Sequence, residues 1–154
     1  MDKNITALIC LFVRIYHMKN SNIKIFNDKL SLKILNDEEY KNISFNISNG
    51  IKFFNPNYNG DNALGWIVNN VLGPNVLVRQ ALEEDSIRQE LKLGLKQFVS
   101  LGSGYVTTQY RLDKRIKVFE LDKEDIIKDK QKRIKKCVKD LNNITYVSCD
   151  FLNV

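Results

Sequence analysis

In this 154-residue sequence, one glycine turn and the acids at two strand ends are the groups best placed to do chemistry. The apolar run Gln97–Leu101 (QFVSL) leads straight into Gly102-Ser103-Gly104. A G-x-G turn after a strand lets the backbone approach a ligand closely and offers it amide N–H groups. Eighteen residues past Gly104, a second apolar run, Ile116–Leu121, closes on Glu120-Leu121-Asp122. An acid at the tip of a strand beside such a turn is placed to accept hydrogen bonds from both ribose hydroxyls of a nucleotide-like ligand. A third run, Ile144–Cys149, ends in Asp150, where an acceptor would meet an adenine amino group. The plainer alternative is that Asp122 only caps the helix starting at Asp125.

The turn lacks the third glycine of the dinucleotide fingerprint, position 107 being Thr, and no P-loop lysine and Ser/Thr follow it. NAD and nucleoside triphosphates are therefore disfavoured. S-adenosylmethionine fits better, since it needs room at glycines and acids for ribose and adenine but no phosphate cradle. Other chemistry is scarce. His17 is the only histidine, so a His-cluster metal site is excluded and a Ser/His/Asp triad would rest on it alone. Cys10, Cys137 and Cys149 are odd in number and form no C-x-x-C pair, so they read as buried structural thiols rather than a zinc site or disulfide framework.

The elements that must position these residues change type along the chain. Leu8, Leu11, Phe12 and Ile15 make one apolar stripe and predict a helix over Thr6 to Met18. A second short helix is expected over Asp28–Leu35. Ile51–Phe54 is read as a short strand, and Leu64–Leu72 as helix or strand. Gly73-Pro74-Asn75 reads as a turn, and Val76 to Leu93 as a helix stopped by Gly94. Asparagine is abundant, which weakens any reading of Asn57, Asn59 and Asn62 as a binding site. Beyond Gly94 come a strand, the glycine turn, a second strand, an amphipathic helix over Asp125–Leu141 and a third strand. That alternation predicts an α/β fold with a parallel sheet, whose carboxyl edge is where such folds bind ligands.

Phe98-Val-Ser-Leu-Gly-Ser-Gly-Tyr-Val-Thr-Thr-Gln-Tyr-Arg-Leu112 resembles the V-x-L-G-A-G-x-D-T-x-x-[YW]-R-L signature of the leucine carboxyl methyltransferase family. Val118-Phe-Glu-Leu-Asp122 is similar to that family's [VF]-[FY]-E-[VL]-D, which a Lys-bearing helix follows (Lys130 here). Thr6-Ala-Leu8 with Arg14 is similar to its bacterial opening T-A-x-x-x-x-x-R-A. The resemblance implies a class I methyltransferase: a Rossmann-like parallel sheet preceded by a helical region, with S-adenosylmethionine as cofactor. It further implies that Gly102, Ser103 and Gly104 line the methionine part of the cofactor, and that Asp122, or alternatively Glu120, binds the ribose. Asp150 and the Phe151 backbone would hold the adenine, and Arg79 and Arg14 would face the cofactor carboxylate, where planar guanidinium groups suit. One departure is Val106, where the family signature has an aspartate.

The reaction so implied is methyl transfer to a carboxylate or hydroxyl of a small molecule or protein, with no catalytic base named and no metal. The family sheet has seven strands and this chain supplies three, so a fragment is the favoured expectation; a non-catalytic relative acting by association is the alternative. Residues 1–95 are expected to form a helical, cofactor-covering region, and residues 96–154 the first part of the Rossmann-like domain. The unpaired flank of the first strand invites self-association. The longest apolar run, Ala7–Val13, is too short to span a membrane and is a poor signal peptide, so the expected location is cytoplasmic. A formal charge of +6 permits a nucleic-acid partner, but the eight Lys/Arg residues from Lys123 to Lys139 recur at helical spacing and read as a solvated helix face.

Overall fold

The structure, a computed structural model, describes residues 5–151. It divides into two compact units: one takes the chain up to Leu8 and from Glu84 onward, and the other runs Ile9–Glu83. The change from helices to strands falls between Lys92 and Gln97, while the units part inside the helix Gly73–Lys92.

In the first unit, β1 (Gln97–Leu101), β2 (Lys117–Asp122) and β3 (Ile144–Ser148) form a parallel sheet in the order β1-β2-β3, as the alternating pattern required. Gln97 to Leu101 pair in register with Lys117 to Leu121, and Val118 to Asp122 with Ile144 to Ser148. On β2 the alternation buries Val118, Glu120 and Asp122 on one face. The crossover helix Glu124–Ile134 is shorter than its amphipathic pattern predicts, which extended to Leu141. Its 11 residues rise about 16 Å, and the six of β2 span about 20 Å, so the helix has already carried the chain back to the start of β3. Asp140 Oδ1 then accepts the Asn142 N–H at 3.0 Å and helps turn the chain, leaving Val138 and Leu141 outside the helix. Ile127, Lys130 and Ile134 form the buried stripe of this helix.

The second unit is helical. The first helix, α1 (Ile5–Asn20), buries Leu11, Phe12 and Ile15 as expected, and the Phe12 ring lies 4.8 Å from that of Tyr40. The second helix, α2 (Ser31–Ile34), is one turn instead of the eight residues predicted. Asp28 stands ahead of it as a turn residue: Oδ1 accepts the Ser31 N–H and its carbonyl accepts the Ser31 hydroxyl. The helix α3 (Asp37–Asn49) was not expected in so Asn-rich a stretch. It starts on a capping box, Asn36 Oδ1 accepting from the Glu39 N–H at 2.8 Å and Glu39 Oε2 from the Asn36 N–H at 3.2 Å.

Ile51–Phe54, expected as a strand, is the helical turn α4, whose Phe53 and Phe54 N–H groups donate to the Gly50 carbonyl. With no neighbouring strand, a short apolar segment satisfies its backbone locally. Gly73-Pro74-Asn75, expected as a turn, lies inside continuous helix: α5 (Ala63–Ile67), a π turn (Val68–Leu72) and α6 (Gly73–Lys92). A proline would clash with the carbonyl four residues before it. The π turn, in which Gly73 N–H reaches the Val68 carbonyl, opens the ladder there and lets the helix continue through Pro74. Gly94, at φ +93°, ends α6 where predicted, with Leu95 N–H bonded to the Glu90 carbonyl. The crossover helix Glu124–Ile134 is α7.

Candidate functional site

The parallel register sets the geometry at the carboxyl edge of the sheet. Leu101 pairs with Leu121, so Gly102 emerges beside Asp122; Asp122 pairs with Ser148, so Asp150 lies two residues past it on β3. Gly102 (φ +64°) and Gly104 (φ +43°) hold left-handed backbone that other residues adopt at a cost. A Cβ placed on Gly102 would meet nothing within 4 Å, so the backbone there borders open space.

Asp122 does not cap α7, whose N-cap is Lys123 without a side-chain bond. Its Oδ2 accepts the Gly104 N–H at 2.7 Å and its Oδ1 the Lys123 N–H at 2.8 Å, so this carboxylate clamps the glycine turn to the tip of β2. Each oxygen retains a further lone pair for a ligand hydroxyl. Ser103 donates its N–H to the Leu121 carbonyl, while its hydroxyl is buried and has no hydrogen-bond partner. Asp150 and Phe151 are exposed beyond β3. Arg14 and Arg79 belong to the helical unit. Arg14 is buried with Nη1 3.2 Å from Asp28 Oδ2, and Arg79 is exposed, its Nε donating to the Asn75 carbonyl.

Glu120, the alternative ribose acid, is placed elsewhere. It shares a face with Asp122 but sits two residues back along the strand, wholly buried. Its Oε2 lies 2.6 Å from Lys130 Nζ and its Oε1 accepts from Gln109 Nε2 at 2.6 Å. Lys130, also fully buried, donates to the Ser103 carbonyl at 3.3 Å and lies over the Tyr110 ring. Gln109 and Tyr110 come from a 3₁₀ turn, Thr108–Arg111, between the glycine turn and β2. The Tyr110 and Tyr146 hydroxyls are 3.1 Å apart. Burial, and then the Glu120 charge, hold Tyr110 far above the usual phenol range, and burial raises Tyr146 to about 12. Both remain protonated at physiological pH. Composition and spacing missed this buried network. Its one legible trace was the strand alternation, which sets Glu120 on the same face as Val118.

Among the described residues, no group of three or more His, Cys, Asp and Glu side chains is arranged to hold a metal ion, and no helix is long and apolar enough to cross a membrane. The three cysteines, expected to be buried, are half-buried thiols. The donor set of the edge suits an uncharged nucleoside portion: open space at Gly102, acceptor oxygens on Asp122, and one orphaned hydroxyl on Ser103.

The sequence profile described as leucine carboxyl methyltransferase matches residues 7–153. The chain belongs to that family. It is also 33% identical over 130 residues to a Bacillus subtilis (strain 168) protein named "Putative S-adenosyl-L-methionine-dependent methyltransferase YktD". That match covers 79% of this chain and 43% of the relative, so the chain spans less than half the length of the relative it matches. Within the leucine carboxyl methyltransferase signature, Val106 stands where an aspartate is expected. Its N–H donates to the Ser103 carbonyl at 3.0 Å, so the turn closes through backbone there.

Proposed function

We propose that this chain binds S-adenosylmethionine at the carboxyl edge of its sheet and supplies that site to a methyltransferase acting on an oxygen nucleophile. The observation that carries the reading is the clamp between Asp122 and Gly104, which joins an acid at the tip of β2 to a left-handed glycine turn bordering open space. Family membership and the printed name of the Bacillus relative support it.

Bound S-adenosylmethionine would supply an electrophilic methyl group on a sulfonium. The residues of this chain have the task of holding. Gly102 leaves room for the methionine part, Ser103 offers its hydroxyl, Asp122 accepts from the ribose, and Asp150 with the Phe151 backbone meets the adenine. A carboxylate acceptor is already nucleophilic, so for it positioning rather than proton transfer is the main contribution expected of such a site; a hydroxyl acceptor would in addition need a base to take its proton. The acceptor belongs to a small molecule or a protein. Self-association through β1 is part of the proposal: among the described residues this strand pairs only with β2, and its Val99 and Leu101 are exposed.

S-adenosylhomocysteine is the probe. It should raise the melting temperature of the chain, and Asp122→Ala should abolish the rise. The absence of any shift at millimolar ligand for the unaltered chain would overturn the assignment. Binding to generic DNA with steep salt dependence, and no response to S-adenosylhomocysteine, would point instead to the lysine face of α7.

A further inference from the structure

We infer that Lys130 is the positioning residue of the glycine turn, acting through the Ser103 carbonyl, and that Glu120 and Gln109 hold its ammonium in place for that task. The inference rests on the proposed cofactor site, whose backbone it would hold in shape.

A lysine is among the residues least often fully buried, and an unpaired buried ammonium is very costly. Lys130 nevertheless has no exposed surface, and its ammonium lies 2.6 Å from Glu120 Oε2 and 3.3 Å from the Ser103 carbonyl oxygen. If neutralising Glu120 were its only task, the pair would be weak support for the fold, because an apolar pair of similar volume is often as stable. The second contact distinguishes this pair. The Ser103 carbonyl sits between the two left-handed glycines and also accepts the Val106 N–H at 3.0 Å. Lys130 therefore fixes the orientation of the peptide joining Ser103 to Gly104. That same peptide carries the Gly104 N–H, which points at Asp122 Oδ2. One planar unit is held at its oxygen by the cation and at its nitrogen by the carboxylate, so neither end can rotate alone. Glu120 in turn is anchored by Gln109 from the 3₁₀ turn, which links the loop after Gly104 to the same charge. The arrangement presents Asp122 to a ligand with its geometry already set, which reduces the ordering cost of binding.

The test uses the full 154-residue chain. Lys130→Met alone leaves Glu120 buried without its cation and is prone to unfold. The informative variant is therefore K130M/E120Q, which removes both charges, keeps the volume and lets the introduced amide face Gln109. This variant should keep a cooperative melt within a few degrees of the parent. Its amide exchange at Gly104 and Val106 should be at least tenfold faster, and its dissociation constant for S-adenosylhomocysteine at least tenfold higher. Lys130→Arg, which restores a cation that can reach both oxygens, should recover part of both losses. Parent-like exchange and affinity in K130M/E120Q would overturn the inference and leave Lys130 as a charge partner only. If the unaltered chain fails to bind S-adenosylhomocysteine, the cofactor reading falls, while the exchange rates still decide the role of Lys130. Should K130M/E120Q not fold, the ¹⁵N-lysine spectrum of the unaltered chain decides. A slowly exchanging Lys130 ammonium signal that moves on ligand addition supports the inference, and one that does not move overturns it.

Discussion

Arg14 meets Asp28 at 3.2 Å in the helical unit, and Lys130 meets Glu120 at 2.6 Å against the sheet; all four side chains are essentially inaccessible to water. The first pair joins residues 14 positions apart, a helix and the turn that follows it, and Asp28 also receives the Ser31 N–H that opens α2. The second pair joins strand β2 to helix α7 and reaches, through further hydrogen bonds, the glycine turn and the 3₁₀ turn. Both pairs oppose the cost of burial by satisfying backbone groups as well as each other. They differ in what depends on them. Arg14–Asp28 bears on the connection into α2, whereas Lys130–Glu120 bears on the glycine turn and the 3₁₀ turn.

Removing one partner from each pair should have the largest effect. Lys130→Met and Asp28→Leu each leave a buried charge without its ionic partner, a loss of about 3–5 kcal/mol in denaturant unfolding. An effect below about 1 kcal/mol at Lys130, the range of exposed pairs, would show that the pair is water-accessible.

Next in size are the local backbone devices of the two units. Gly102→Ala should cost roughly 1–2 kcal/mol, because the left-handed backbone alone opposes it: an added Cβ meets no atom within 4 Å. A much larger loss would mean that the open space beside Gly102 is filled in solution. In the helical unit, Asn36→Ala removes the capping acceptor of Glu39 N–H and should cost about 1 kcal/mol. Thermal unfolding of both variants ranks the two devices.

The smallest effect is a pH dependence confined to the helical unit. Burial, followed by the nearby Lys24 charge, holds His17 below its ordinary 6.5. Its Nε2 accepts the Ile25 N–H at 3.2 Å, a bond only the neutral ring makes, while Nδ1 faces the Ser21 hydroxyl at 2.9 Å. The unfolded chain therefore takes up the proton first as pH falls. This contribution to stability is fully present above 6.5 and is lost as pH drops through 6.5 and then the lower folded value. Denaturant midpoints from pH 8 to pH 5 check it, with His17→Gln flattening the slope.

Local, periodic patterns carried the most structural information in the amino-acid sequence. The three strands were legible because each is a short apolar run ending in glycine or acid, and Gly94 marked its helix end by a conformation few residues adopt. Ile51–Phe54 turned out helical because four residues, three of them apolar, carry no period of their own, so the preceding helix decided their state. Pro74 was misread because the π turn that admits it has no sequence mark. Asn36 and Glu39 could have announced α3, but asparagine elsewhere in the stretch hid the capping pattern.

Of the candidate site, the glycine turn and Asp122 were visible by type and spacing, since backbone freedom and a strand-end acid are properties of single positions. The resemblance ranked Asp122 ahead of Glu120, but what surrounds each acid was not legible. Both acids share one face of β2, and only the packing of α7 and the 3₁₀ turn against that face decides which is neutralised and which remains at the edge. The amino-acid sequence by itself determined the alternation of strand, turn and helix, because side-chain periodicity acts over a few residues. Tertiary structure alone decided that Lys130 and the Ser103 carbonyl should meet, because that contact joins residues 27 apart in sequence and exists only once the sheet and its crossover helix have packed.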